Sequence, residues 1–278
     1  MPNYISFNSS LEEAKIVFLG IPFDGTATFR PGSRFAPDAI RNVSDSLETY
    51  SPYQDKDLAD YDICDNGDLI LPFGNTEKVL QIIEERSTEI LQAGNKILAC
   101  GGEHLISLPL IKAHLKKYPA LKVVHFDAHT DLRDEYLGEK YSHSSVIRLL
   151  TEYLPPQNIY QFGIRSGEKH EFDWGRNNTK FFPFSLNDFI DKIKDIDLQT
   201  PLYVTIDLDI LDPAYFPGTG TPEPGGVTFS ELLNALLGLM NRNIVGADVV
   251  ELAPDYDPTG ISSITAAKII REMALLLT

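Results

Sequence analysis

The sequence predicts an α/β protein built on a mostly parallel central sheet. Short apolar runs recur along the chain, and most are continuous rather than alternating, which is typical of strands that are covered on both faces. Amphipathic stretches of helical length separate these runs, as expected when helices cover both faces of a parallel sheet. No repeat, low-complexity tract or linker divides the 278 residues, so we expect a single domain over residues 1–278.

Six apolar runs predict the main strands, and two weaker runs predict further ones. Ligand sites in such folds lie at the carboxyl ends of the strands. Residues that carry chemistry should therefore follow directly after several of these runs. The six main runs are residues 15–23, 96–100, 122–126, 159–163, 202–206 and 244–250, and the weaker ones are residues 61–64 and 180–184.

Five amphipathic stretches predict helices. Pro37 suits the first turn of the first helix, and Gly94 suits the position just after the second. Thr228 and Glu231 have the spacing of a capping box, which marks the start of the fourth. The predicted helices are residues 37–47, 76–93, 105–117, 232–240 and 261–277.

Charge and composition exclude several classes of protein. The net charge of −16 argues against a nucleic-acid partner, which needs a basic surface, and is compatible with a cationic small-molecule substrate. No apolar run approaches the ~18 residues of a membrane-spanning helix, so we expect no membrane partner. Cys64 and Cys100 are expected to be free thiols of a cytoplasmic protein, because the first residues do not have the pattern of a signal peptide.

Carboxylate and imidazole side chains stand directly after three of the predicted strands. Residues two apart in extended backbone face the same side, so the alternating members of each group converge. Asp212, which precedes a proline, is expected to be an ordinary turn residue. The candidate ligands are His104 after the second main run, Asp127, His129 and Asp131 after the third, and Asp207 and Asp209 after the fifth.

Six such groups exceed what one divalent ion usually takes from a protein. Two ions bridged by carboxylates fit better, because four aspartates and two divalent cations leave the buried site nearly neutral. The ligands are carboxylates and two imidazoles without a thiolate, which favours a hard ion such as manganese over structural zinc. Two ions roughly 3.5–4 Å apart can share a water and lower its pKa, so the implied reaction is hydrolysis.

Three segments that contain the candidate ligands resemble the signatures of the ureohydrolase family, which includes arginases and agmatinases. They are Gly-Gly-Glu-His at 101–104, Asp-Ala-His-Thr-Asp at 127–131 and the segment 205–213. Residues 20–24, 30–34, 217–222 and 249–254 also match, so the resemblance spans nearly the whole chain. It implies a three-layer α/β/α sandwich of the arginase type with two Mn²⁺ ions per subunit. It also implies a homo-oligomer, either a trimer or a hexamer.

The same resemblance implies a role for each candidate residue. Glu251 would bind the guanidinium group of the substrate, and a carboxylate suits that planar cation. His143 would pass a proton to the leaving amine. A metal-bridging hydroxide would attack the guanidinium carbon and release urea. His104 and Asp131 would bind one ion, His129 and Asp209 the other, and Asp127 and Asp207 would bridge them.

The favoured substrate is agmatine, hydrolysed to urea and putrescine in polyamine biosynthesis. Segments 30–32, 143–145 and 218–223 resemble agmatinases more than arginases, and the amino-acid clamp of arginases is not reproduced around Arg133 and residues 166–168. Glu168, Glu171 and Glu223 are candidates to meet the distal amine of agmatine. Other substrates remain open, namely an aminopropyl-agmatine, a guanidino acid, arginine or formiminoglutamate. A non-catalytic metal-binding scaffold is the remote alternative, which would have lost a ligand, His143 or Glu251.

Overall fold

An eight-stranded sheet in which every strand pair is parallel lies at the centre of the computed structural model, which describes residues 2–278. All six main predicted strands and both weaker ones are present, with ends that differ by a few residues. A separate antiparallel hairpin of β2 and β3 was not predicted, because each of its strands has only two residues. The strands are β1 Ile16–Ile21, β2 Tyr50–Ser51, β3 Lys56–Asp57, β4 Ile63–Asp68, β5 Lys96–Gly101, β6 Lys122–Phe126, β7 Ile159–Phe162, β8 Lys180–Phe182, β9 Leu202–Asp207 and β10 Ile244–Val250.

The strand order brings the carboxyl ends of four strands together at the middle of the sheet. The order is β4-β1-β5-β10-β9-β6-β7-β8, so β5, β10, β9 and β6 are consecutive neighbours. Their register aligns their ends, since Val249 pairs with Cys100, Val250 with Asp207, and Phe126 with Ile206. Loops that leave these four strands therefore meet in one crevice, where ligand sites of parallel sheets lie.

All five predicted helices are present, and three further helices were not predicted. Helices α4 and α6 have five residues each, and α5 is mostly polar and buries only Glu171 and Gly175, so none has a clear apolar period. The capping box of α7 forms as predicted between Thr228 and Glu231. The helices are α1 Ala36–Ser44, α2 Thr76–Gln92, α3 Ser107–Lys117, α4 Val146–Leu150, α5 Lys169–Asn178, α6 Phe189–Ile193, α7 Phe229–Leu237 and α8 Ile261–Leu277.

Two separate apolar cores lie on the opposite faces of the sheet. Phe18 and Val204 pack on one face with residues of α1, α7 and α8. Val17 and Tyr203, the adjacent residues on the same strands, pack on the other face with residues of α2 and α3. This alternation follows from the period of two in a strand. The three-layer α/β/α arrangement predicted from the sequence is thus confirmed.

The structure also describes the two thiols and the apolar character of the helices. Cys64 and Cys100 are free and buried. Within residues 2–278, no helix combines the length and apolar character needed to cross a membrane.

Candidate metal centre and active site

The candidate site lies at the carboxyl ends of the four central strands. His104 begins a 3₁₀ turn shortly after β5, Asp127 directly follows β6, and Asp207 is the last residue of β9. Glu251 directly follows β10. Because these strand ends are neighbours at one level, side chains from four separate parts of the sequence meet.

Gly102 allows the loop after β5 to pass between two neighbouring loops. A Cβ atom on Gly102 would collide with the carbonyl of Phe23. The Gly102 carbonyl accepts a hydrogen bond from the backbone N–H of Glu251 at 2.9 Å, and the backbone N–H of Glu103 donates to the Phe23 carbonyl at 2.7 Å. These contacts fix the loop that carries His104 relative to Glu251.

His104 is the centre of the first group of candidate ligands. Its Nδ1 lies 3.0 Å from Asp127 Oδ2, 3.1 Å from Asp131 Oδ2 and 3.3 Å from Asp207 Oδ2. All four side chains are buried. The first predicted ion-binding group is therefore assembled from three different strand ends.

His129 is the centre of the second group. Its Nδ1 lies 2.9 Å from Asp209 Oδ2 and 3.6 Å from Asp127 Oδ1. Asp127 therefore directs one oxygen towards each histidine, and it belongs to both possible metal-binding groups. Together the two groups bring all six predicted ligands into one cluster.

The carboxylates around His104 are close enough to oppose each other's ionisation. Burial, followed by the charges of Asp209 and Asp127, raises the pKa of Asp207 well above its usual value. Burial and the charge of Asp127 raise the pKa of Asp131 to about 7. A cation bound between these side chains would offset that repulsion.

The donor set fits a divalent metal ion. His104 Nδ1 is buried and has no hydrogen-bond partner among the described residues, although three carboxylate oxygens surround it. A buried ring nitrogen that is surrounded by carboxylate oxygens and makes no hydrogen bond is typical of a metal site. The absence of thiolates in the cluster suits a hard cation.

Hydrogen bonds from behind the cluster orient the aspartates. Gln161 Nε2 donates to His125 Nδ1 at 3.3 Å, so His125 carries its hydrogen on Nε2 and donates it to Asp127 Oδ2 at 2.8 Å. The backbone N–H of Ala128 donates to Asp209 Oδ1 at 3.1 Å. His125 thus holds a carboxylate of the cluster in place.

Glu251 and His143 lie beside the cluster. Glu251 Oε1 accepts the backbone N–H of His104 at 2.8 Å and lies 3.9 Å from His143 Nδ1. Thr28 Oγ1 lies 3.1 Å from His143 Nε2, and Thr26 Oγ1 accepts the His143 backbone N–H at 3.0 Å. Burial and the charge of His129 lower the pKa of His143 to about 4. The imidazole is therefore neutral at pH 7.

One residue of the cluster, Asp131, and Glu251 beside it have strained backbone. Asp131 and Glu251 have φ angles of 51° and 66°, in the left-handed region that L-residues rarely adopt. Such strain is common at functional sites, where the surrounding packing maintains it.

A cavity of about 320 Å³ opens above the cluster, and its wall includes His129, Asp207 and His143. Its wall also includes Arg133 and Glu168, whose Nη2 and Oε1 atoms lie 3.3 Å apart, and the Glu168 side chain is 55% exposed. One cavity is therefore lined both by residues of the cluster and by Glu168.

The other two glutamates proposed for the distal amine are placed differently. Glu171 lines the cavity but is buried, and it accepts hydrogen bonds from the Thr130 hydroxyl and the Glu168 backbone N–H. Glu223 is not among the described residues that line this cavity. Of the three candidates, Glu168 is thus the one that combines exposure with a place in the cavity wall.

Sequence reasoning missed several buried polar residues that lie behind the cluster and contact it directly or through one other side chain. Asp248 and Gln161 lie inside apolar strands and were counted only as strand residues, and Thr205 was noted only as the first residue of the segment 205–213. A carboxylate in the middle of an apolar run was the signal for Asp248, because burial of a charge needs a partner.

The turn role expected for Asp212 is observed, since its carboxylate accepts backbone N–H groups of Ala214 and Gly225.

Comparison with known proteins agrees with this geometry. Residues 14–276 match the model of the Arginase family. The agmatinase of Bacillus subtilis (strain 168) is 49% identical over 277 residues, which cover 98% of this chain and 95% of that protein. The crystal structure of the agmatine ureohydrolase of Thermoplasma volcanium has a TM-score of 0.90 at 31% identity and covers 100% of this chain and 94% of that one. The proclavaminate amidino hydrolase of Streptomyces clavuligerus has a TM-score of 0.91 at 29% identity, with 100% and 97% covered.

The chain belongs to the arginase family. It is an enzyme of the ureohydrolase class, which acts on C–N bonds of linear amidines. Within that class it is most similar to agmatinases. The family and the fold expected from the sequence motifs are thereby confirmed.

Proposed function

We propose that this enzyme hydrolyses agmatine to putrescine and urea at a centre of two Mn²⁺ ions. The two-ion arrangement is supported by the orientation of Asp127, since one of its oxygens faces His104 and the other faces His129. Asp131 would complete the first site and Asp209 the second. Asp207 is the proposed second bridge, because it lies between these groups, with one oxygen facing His104 and the other accepting the Asp209 N–H.

The residues around the centre would divide the work of hydrolysis. Bound metal ions supply Lewis acidity that lowers the pKa of the attacking water. Glu251 would accept hydrogen bonds from the guanidinium group, and its Oε1 is already fixed by the His104 N–H. This would hold the guanidinium carbon over the cluster. Neutral His143, beside Glu251, would take up a proton and deliver it to the leaving amine.

The part of the cavity wall that contains Glu168 would suit the second positive charge of agmatine. The Glu168 carboxylate is partly exposed in the cavity wall, where it pairs with Arg133. The amine of agmatine would replace Arg133 as the partner of this carboxylate. The similarity to agmatinases also favours this substrate. Arg133 itself favours a second candidate, because a guanidino acid would present a carboxylate to this cation.

A direct comparison of substrates tests the proposed reaction. Manganese-loaded enzyme should release urea from agmatine with kcat/KM at least ~100-fold higher than from arginine, a guanidino acid or an aminopropyl-agmatine, which is about 2.7 kcal/mol in transition-state binding. Formamide release from formiminoglutamate should be measured in parallel. Preference for another compound would replace the proposed substrate. If the enzyme binds two ions but releases no product from any of these compounds, the result would contradict hydrolysis and favour a non-catalytic metal-binding scaffold.

Replacing His143 with alanine should keep both metal ions and lower kcat by roughly 10²–10⁴-fold, the usual size of a general acid–base contribution. The measurement is kcat with agmatine together with metal content. Added imidazole should restore part of the rate to the variant and leave the native enzyme unchanged. An unaltered kcat would show that His143 does not transfer the proton.

The oligomeric state, the cytoplasmic location and the single domain over residues 1–278 stay predictions. Size determination in solution will decide between a trimer, a hexamer and other states.

A further inference from the structure

A buried chain of hydrogen bonds runs from Asp248 on β10 through Thr205 on β9 to His104. Asp248 Oδ1 accepts the Thr205 hydroxyl hydrogen at 2.6 Å, and Asp248 Oδ2 accepts that of Tyr203 at 2.7 Å. Thr205 Oγ1 lies 2.9 Å from His104 Nε2. All four side chains are at most 1% exposed, so these contacts do not compete with water.

The chemistry of the groups determines which atom donates in each of these hydrogen bonds. A carboxylate only accepts hydrogen bonds, so Thr205 uses its one hydroxyl hydrogen on Asp248. The lone pairs of Thr205 then face His104 Nε2, which must carry the ring hydrogen. The neutral imidazole, which is the form that binds a metal ion, has one N–H, so Nδ1 of His104 then has a lone pair.

That lone pair is directed at the carboxylate cluster. His104 Nδ1 has no hydrogen-bond partner among the described residues, and oxygens of Asp127, Asp131 and Asp207 lie 3.0, 3.1 and 3.3 Å from it. Without Thr205 these oxygens would favour the opposite tautomer, with a hydrogen on Nδ1. A hydrogen in that position would block a metal ion from binding there.

We infer that Thr205, held by Asp248, is a positioning residue that fixes the tautomer of His104 and makes Nδ1 the metal-binding atom. The inference rests on the proposed metal centre and adds to it the residues that decide which ring nitrogen binds. Partners behind a histidine ligand set its orientation and its tautomer, and their loss typically costs 10–100-fold in metal affinity.

The test is titration of Mn²⁺ alone into chelator-stripped protein, followed by calorimetry. Thr205→Val replaces the hydroxyl by a methyl group of similar size. It should weaken one of the two Mn²⁺ sites by roughly 10–100-fold and leave the other close to native. Thr205→Ser keeps the hydroxyl and should restore the native affinity.

Thr219→Val is the matched control, because Thr219 is also buried and its hydroxyl has no hydrogen-bond partner among the described residues. It makes the same chemical change and should bind Mn²⁺ as the native enzyme does. Circular dichroism and thermal unfolding without metal would check that each variant folds. Thr205→Ala serves as a second variant without the hydroxyl.

Native affinity in both Thr205→Val and Thr205→Ala would overturn the inference, and so would an equal loss in Thr205→Ser or in Thr219→Val. If the native enzyme binds no Mn²⁺, the proposed manganese centre fails, and the inference fails with it. If the native enzyme binds two ions and only the variants without the Thr205 hydroxyl lose one, both are supported.

Discussion

Replacing Asp127 with asparagine should remove at least one metal ion and lower kcat/KM by at least about 10³-fold, or about 4 kcal/mol. Asp127 lies in both metal-binding groups, and both of its oxygens accept hydrogen bonds, from the His125 ring and from the His129 N–H. An asparagine would place an NH₂ group against one of these donors and would lose the negative charge. Metal content per chain and urea release from agmatine are the measurements.

Asp207→Asn should have an effect of the same kind, because Asp207 is the second proposed bridge. Asp212→Asn makes the same chemical change five residues further on, in a turn where Asp212 accepts only backbone N–H groups. Its metal content and activity should match the native enzyme. Two metal ions per chain in both the Asp127 and the Asp207 variant would refute the assigned bridges.

Replacing Glu251 with glutamine should lower kcat/KM by roughly 10²–10³-fold while both metal ions stay bound, the size found when one group that stabilises a transition state is removed. Glutamine can still accept the His104 N–H through its carbonyl oxygen, so the backbone of the site is kept. It lacks the charge that pairs with a guanidinium. Steady-state kinetics with agmatine and metal analysis of the same sample separate these effects.

Glu231→Gln offers a control for the loss of a glutamate charge, because Glu231 caps α7 and contacts Thr228 rather than the cluster. Its kinetics should be native. A Glu251→Gln enzyme with native kcat/KM would exclude guanidinium binding by Glu251. Loss of metal from that variant would instead indicate that Glu251 supports the cluster.

Much of the fold could be predicted because its signals are local. Continuous apolar runs marked the strands of a sheet covered on both faces, and amphipathic stretches marked α1, α2, α3, α7 and α8. Helices α4, α5 and α6 were not predicted, because α4 and α6 are only five residues long and α5 buries just Glu171 and Gly175. Short or polar helices are stabilised by packing rather than by their own periodicity.

The residues that support the site could not be assigned in the same way. Thr205 and Asp248 are single polar residues within apolar strands, and their partnership depends on the pairing of β9 with β10. His125 and Gln161 meet because β6 pairs with β7. Such contacts join residues tens of positions apart, which no spacing along the chain reveals.

By itself the sequence determined the fold class, the six candidate ligands and the resemblance to the ureohydrolases, because each of these depends on residue types at fixed distances along the chain. The tertiary structure decided which oxygen of Asp127 faces each of the two histidines. It also decided which glutamate faces the open cavity and which hydroxyl stands behind His104. These features depend on strand order and register, which bring separate segments together only when the whole sheet has formed.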